Sequence, residues 1–282
     1  MPVRTGEHAC CRFAQAGDRE RVAAAFASDG LRRGDKVVYV SDRDDVAPLV
    51  RRLKRLDASL ASAMAAGQLD VLRASDVYIP DGRFDLLRTL DFIRYYHDQA
   101  LAEGYAGLSI TGEIPAALRE VPGGEQLTRY EARLERYRRQ RGRADSARDS
   151  ILCQYDHGRF GPRVLSDVAR AHQVDVPPEL AAIGRDGEVG AAYDRAHDAL
   201  RLGGELDFAC AQTVSEVLDA HFHGPLRLDL ADLNYIDVAG MRALRGHTGR
   251  QLIITSASPA VRRLLALLAW DTDPAVELAQ AG

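Results

Sequence analysis

Four consecutive apolar residues, Val37-Val38-Tyr39-Val40, stand between two stretches of helical spacing and leave no polar face. A strand without alternation is covered on both sides, which is the condition of a parallel sheet packed between helices. The flanks agree. Apolar residues from Val22 to Arg33 recur at helical spacing and stop at Gly34, while Asp42 to Asp45 offer caps for a helix running through Leu49, Leu53 and Leu56. Leu69–Leu72 and Gly107–Thr111 read as further strands, separated by a helix from Phe84 to Ala102 that Gly104 closes. A basic helix, Leu127 to Arg143, leads to a strand at Ile151–Asp156 and a helix at Pro162–Ala171. Helix and strand alternate throughout, so the N-terminal part is expected to be an α/β domain with a mostly parallel sheet.

A chain of 282 residues, 46% hydrophobic and 28% charged, is sized for two globular domains. No run approaches the roughly 18 apolar residues of a membrane span. The start, Met1-Pro2-Val3-Arg4-Thr5-Gly6-Glu7-His8, has no apolar core of a secretory signal, so a cytoplasmic protein is expected. A net charge of −4 argues against a nucleic-acid binder overall. The cysteines, Cys10, Cys11, Cys153 and Cys210, form no CxxC pair and are expected to be reduced. A metal site at His8, Cys10 and Cys11 fits no common zinc spacing, so no metal is expected.

In open parallel sheets, ligands bind beyond the carboxyl ends of the strands. That rule makes crevice residues of Ser41, Asp42 and Glu113. Glu113 is either an acid/base or ligand-holding group, or a carboxylate paired with Arg12 or another local arginine. His8 beside Cys10 is either a ligand contact or a buried, hydrogen-bonded imidazole. Tyr155 and Asp156 close a strand, where Asp156 alternatively caps the next turn, and His157 and His172 read as structural or solvated. On the basic helix, Glu135 and Arg139 make an attractive i,i+4 pair and Glu131 and Glu135 do not, so excess positive charge remains. That face is solvated or meets an acidic partner; a nucleic-acid role would need several phosphate contacts.

The C-terminal part reads as strand (Ala199–Leu202), helix (Ala209–His221), strand (Leu226–Leu230), helix (Gly240–Arg245), strand (Leu252–Thr255), helix (Ala260–Leu268) and a last strand near Val276. Between Leu226 and Leu244 the order is buried strand, a turn ending on Asp237, then a helix opening at Val238 or Ala239. Together with Gly204-Glu205-Leu206-Asp207 and Ser258-Pro259-Ala260-Val261-Arg262-Arg263-Leu264-Leu265, this resembles the STAS domain of anti-sigma factor antagonists and sulphate-transporter tails. The resemblance implies a partner-binding loop at Asp237, Val238, Ala239 and Gly240 and an anti-sigma-factor-like partner. Antagonists of that family usually carry Ser-Ser or Ser-Thr after the aspartate, one of them phosphorylated; Val238 and Ala239 have no hydroxyl.

In the first half, Gly6-Glu7-His8-Ala9-Cys10, Gly34–Val40, Gly104–Glu113, Tyr130–Leu134 and Leu152–Asp156 resemble, in order, the sensory domain called MEDS. The resemblance implies a RecA/KaiC-like architecture and a small-molecule sensor of unknown ligand. A phosphate-binding loop needs Gly-x-x-x-x-Gly-Lys-Ser/Thr. Between His8 and Val22 the chain has Ala16-Gly17-Asp18-Arg19-Glu20 instead, and its carboxylates would repel a triphosphate. The expected organisation is a sensory domain at 5–178, a linker at 179–190 and a STAS-like domain at 191–282. The expected function is non-enzymatic signalling, with self-association left open. The alternatives are a nucleotide-binding protein or enzyme using Glu113 as base, and a nucleic-acid-binding regulator using the arginine helix.

Overall fold

A computed structural model describes residues 3–43, 45–144, 149–179, 189–247 and 249–279. Most of the expected linker, residues 180–188, lies outside the described residues. The chain divides into two compact units, Val3–Val174 and Asp175–Gly282. No helix among the described residues is long and apolar enough to cross a membrane.

The N-terminal unit is built on β1 (His8–Phe13), β2 (Lys36–Ser41), β3 (Leu69–Arg73), β4 (Leu108–Glu113) and β5 (Ser150–Asp156), in the order β1-β5-β4-β2-β3. Every neighbouring pair is parallel. The connecting helices are α1 (Ala16–Arg32), α2 (Ala47–Leu56), α3 (Ala58–Ala65), α4 (Ala74–Tyr78), α5 (Leu86–Ala102), α6 (Leu127–Ala144) and α7 (Pro162–Ala171). The apolar run Val37–Val40 is covered on both sides: Val38 and Val40 enter one core, with residues of α5, α6 and α7, while Val37 and Tyr39 enter another, with residues of α1, α2 and α3. Helix α5 starts at Leu86, later than the expected Phe84. Asp85 caps it by accepting from the Leu87 and Arg88 amides at 2.9 and 3.2 Å. Tyr130 ties α6 to the end of α4 and to the segment before α5 by edge-to-face contacts with Tyr78 and Phe84, ring centroids 6.4 and 5.7 Å away. Each such pair adds about 0.5–1.5 kcal/mol beyond its buried area.

A two-residue strand, β6 (Val174–Asp175), falls at the division. The C-terminal unit contains β7 (Val189–Asp194), β8 (Ala199–Leu206), β9 (Leu226–Ile236), β10 (Leu252–Ala257) and β11 (Val276–Leu278), ordered β7-β8-β9-β10-β11. Strand β7 runs antiparallel to β8, and the remaining pairs are parallel. Helices α8 (Phe208–His221), α9 (Val238–Arg245) and α10 (Pro259–Leu267) supply the rest. Strands β7 and β9 differ most from expectation. Strand β7 precedes Ala199 and takes in Val189 and Gly190. Strand β9 runs on past Leu230 to Ile236, because Asp232 to Ile236 keep pairing with Gly203 to Leu206 of β8.

Candidate functional site

Strand alternation puts His8 on the face of β1, and Cys153 and Tyr155 on the face of β5, that α6 and α7 cover. Glu131 comes down from α6, and His172 follows the last residue of α7. All four of these residues, His8, Glu131, Cys153 and His172, are buried, and one nitrogen, oxygen or sulfur atom from each lies within 4.8 Å of the others. His8 Nε2 is 3.3 Å from Cys153 Sγ and 3.3 Å from Glu131 Oε2. Glu131 Oε2 is 3.6 Å from Cys153 Sγ and 3.4 Å from His172 Nε2.

An outer ring of groups holds these side chains in place. The Tyr155 hydroxyl donates to the other Glu131 oxygen, Oε1. His172 Nδ1 is 2.7 Å from the Val168 carbonyl, and His8 Nδ1 is 3.5 Å from Glu135 Oε2. Glu135 is in turn gripped by Arg138 at 2.8 Å and Arg139 at 2.5 Å. Burial alone would lower the His8 pKa and raise those of Glu131 and Glu135; the mutual attraction of imidazoles and carboxylates overrides it. His8 is therefore raised, and both carboxylates are lowered. Burial and then the Glu131 charge push the Cys153 thiol and the Tyr155 phenol well above their ordinary ranges.

A second carboxylate site lies at the carboxyl ends of β2 and β4. Glu113 Oε1 accepts from the Tyr39 hydroxyl at 2.5 Å and the Ser41 hydroxyl at 3.3 Å. Its Oε2 accepts from the Asp42 amide at 2.9 Å and faces Arg19 Nη1 at 3.1 Å. Burial and the Glu113 charge raise the Tyr39 phenol well above its usual range. Beside it, Glu20 is ringed by Arg43 at 2.8 Å, Arg52 at 2.5 Å and Arg19 at 3.8 Å. Two buried glutamates, Glu20 and Glu113, thus meet arginines here.

In the C-terminal unit, Asp237 caps α9 by accepting from the Gly240 amide at 2.7 Å, and its second oxygen accepts from the Phe208 amide at 3.0 Å. One carboxylate thus ties the first turns of α8 and α9 together. Gly240 has no alternative, since a Cβ there would lie 2.3 Å from the Leu206 carbonyl oxygen. Val238 and Ala239 occupy the opening turn of α9, and Val238 is 39% exposed.

The family model described as MEDS, the methanogen/methylotroph, DcmR sensory domain, matches residues 7–173. The chain belongs to the MEDS family. A second model, described as Mlab, STAS domain, matches residues 189–279, so a MEDS domain is followed by a STAS domain. No curated protein matches the chain. Among solved structures, the chain is similar to the flagellar accessory protein FlaH from Methanocaldococcus jannaschii, at 13% identity and a TM-score of 0.46, covering 68% of this chain and 79% of that one. It is also similar to a KaiC-like protein from Pyrococcus horikoshii OT3, at 13% identity and a TM-score of 0.40, covering 61% and 72%.

The MEDS domain sorts the sequence candidates into two places. Ser41, Asp42 and Glu113 meet at the carboxyl ends of the strands, with Arg19 as the local arginine that faces Glu113. His8 and Tyr155 instead both reach Glu131, on the sheet face beneath α6. Cys10 pairs with Cys153 in register but belongs to the apolar core beside the cluster. Asp156 caps its turn, accepting from the Gly158 amide at 2.9 Å. Cys153, Glu131 and His172 were not anticipated as a set, and His172, read as structural or solvated, is buried in it. The signal for Glu131 is present in α6: Leu127, Glu131 and Leu134 stand at i, i+4 and i+7, which places a carboxylate in an apolar stripe.

Proposed function

We propose that this chain is a non-enzymatic signalling protein in which the MEDS domain senses a small molecule and the STAS domain reports by contact with a regulatory protein of the anti-sigma-factor type. The observation that carries the reading is the opening turn of α9. Asp237 holds that turn against the start of α8, and what it presents is the exposed, hydroxyl-free side chain of Val238. Phe208, the first residue of α8, is 81% exposed, and Tyr235 is 50% exposed near the end of β9. Large exposed apolar side chains beside capped helix starts fit a protein contact better than a phosphate switch. Control by the sensory domain then requires its ligand to bind two conformations with different affinity.

The crevice supports the non-enzymatic side of the proposal. Every oxygen of Glu113 is engaged by hydroxyl, amide or guanidinium groups, which leaves it poorly placed to take a substrate proton. The test is a photo-reactive residue in place of Val238 in the full chain, irradiated in the source cells, with Leu101 as an exposed control in the MEDS domain. A discrete adduct with one regulatory protein, formed only from position 238, is expected. An adduct pattern identical at both positions would overturn the contact.

A further inference from the structure

We propose that His8, Glu131, Cys153 and His172 bind one zinc-class divalent metal ion, through the two imidazole Nε2 atoms, the Cys153 sulfur and one oxygen of Glu131. This inference goes beyond the partner read-out and stands or falls separately from it.

The first argument is geometric. Zinc takes nitrogen and oxygen ligands at about 2.0–2.1 Å and thiolate at about 2.3 Å in a tetrahedron, so the edges between its ligands measure about 3.3–3.7 Å. Four of the six edges between these donors are 3.3, 3.3, 3.4 and 3.6 Å. The two others are within 4.8 Å. Four of the six edges therefore already have the length such an ion would require.

The second argument is the direction in which each side chain is turned. A histidine that ligates through one nitrogen usually donates the other to a carbonyl or carboxylate, which fixes the ring and the tautomer. His172 donates Nδ1 to the Val168 carbonyl, and His8 turns Nδ1 to Glu135. Both Nε2 atoms face inward. The Val168 carbonyl fixes a proton of His172 on Nδ1, so Nε2 is the atom turned to a carboxylate oxygen 3.4 Å away, where a metal cation can take the place of a proton between the two. Tyr155 likewise occupies Oε1 of Glu131 and leaves Oε2 to the cluster.

The third argument is charge. A thiolate and a carboxylate offset the two positive charges of the ion, so a fully enclosed site becomes neutral, as burial demands. The Cys153 proton, and any proton on either Nε2, passes to solvent on binding. Imidazole, thiolate and carboxylate in a tetrahedral set suit zinc above the harder magnesium or calcium. Four protein donors leave no open position, so the ion ties β1, β5, α6 and the end of α7 together and does not act as a Lewis acid on substrate.

The test uses the full chain purified without chelator. Metal analysis is expected to return about one zinc per chain. After removal of that metal, cobalt(II) chloride is titrated in. Intense visible bands of tetrahedral cobalt are expected, with a thiolate charge-transfer band in the near ultraviolet. Cys153→Ser is expected to lose that band, whereas Cys210→Ser keeps it. Tyr155→Phe, which preserves the ring and removes only the hydroxyl, is expected to weaken cobalt affinity about 10–100-fold. A folded wild-type chain that carries no metal and leaves cobalt with the pale spectrum of its aqua ion would overturn the proposal. So would a thiolate band that survives Cys153→Ser.

Discussion

Glu113 and Glu131 both belong to the MEDS domain and both are withdrawn from solvent, at 1% and 0% exposure, yet the groups gathered around them differ in kind. Glu113 meets two hydroxyls, a backbone amide and a guanidinium, all of them donors, so its charge is met and its lone pairs are taken. Glu131 meets a phenol on one oxygen; on the other it meets two imidazoles and a thiol, all of which can also act as lone-pair donors. The first environment braces two strand ends against α1. The second turns ring nitrogens, a sulfur and a carboxylate oxygen toward one another, within 4.8 Å. Burial of a carboxylate is thus no sign of a site, and the chemistry of its neighbours is.

The widest separation between the two should come from metal removal. A ligand present at about 1,000 times its dissociation constant stabilises the state that binds it by about 4 kcal/mol. For a unit of this size, a change of about 4 kcal/mol moves the melting temperature by roughly 10 °C. Chelation should lower the melting temperature of the wild type and of Glu113→Gln by that amount and leave Glu131→Gln unmoved. Equal responses from the two variants would erase the distinction between the carboxylates.

Glu113→Ala probes the other side. It leaves the Arg19 guanidinium, 11% exposed, without its nearest carboxylate, along with the Asp42 amide. Breaking a buried pair from one side costs about 3–5 kcal/mol. The expected result is a loss at the lower end of that range in urea unfolding, because Arg19 also has Glu20 at 3.8 Å, with metal content unchanged. A loss of metal in this variant would mean that the two regions are one network.

The same contrast explains what could be read from sequence. The parallel sheet was legible because unbroken runs such as Val37–Val40 and helix stops such as Gly34 are local signals. Glu113, Ser41 and Asp42 were legible because they follow strand ends, where a general rule applies. The metal cluster was not, since its members come from positions 8, 131, 153 and 172 and only the register of β1 with β5 and the docking of α6 and α7 brings them together. Glu131 was further hidden in an arginine-rich helix, where net charge masks which face is buried. Strand β7 was missed for a different reason: Val-Gly-Ala-Ala-Tyr-Asp is short on branched residues and abuts a segment with turn composition.

The carboxylates of the STAS domain calibrate what an ordinary structural carboxylate is worth. Asp237→Ala removes an N-cap and also the acceptor for the Phe208 amide. Loss of a cap costs about 1–2 kcal/mol. Urea midpoints should register a change of that size in the transition reporting on Trp270, which packs against the STAS core. A cost near zero would show that the tie between α8 and α9 is not made in solution, and the partner face argued from it would lose its footing.

The smallest expected effect is a pH dependence at Asp194. Its pKa would be raised by burial, but His197, at 2.9 Å, and Arg201, also at 2.9 Å and almost wholly buried, outweigh this and hold it below the usual aspartate range. A group depressed in the folded state contributes stability above its unfolded pKa, near 3.9, and loses it as pH falls through the folded value. Between pH 6 and 5 the urea midpoints of wild type and Asp194→Asn should therefore differ by a constant amount, with the wild type more stable. Below about pH 4 the two should converge as the carboxyl takes up its proton. Convergence already at pH 6 would assign the acid sensitivity to a histidine instead, and would remove Asp194 from the set of plain ion pairs against which Glu131 is judged.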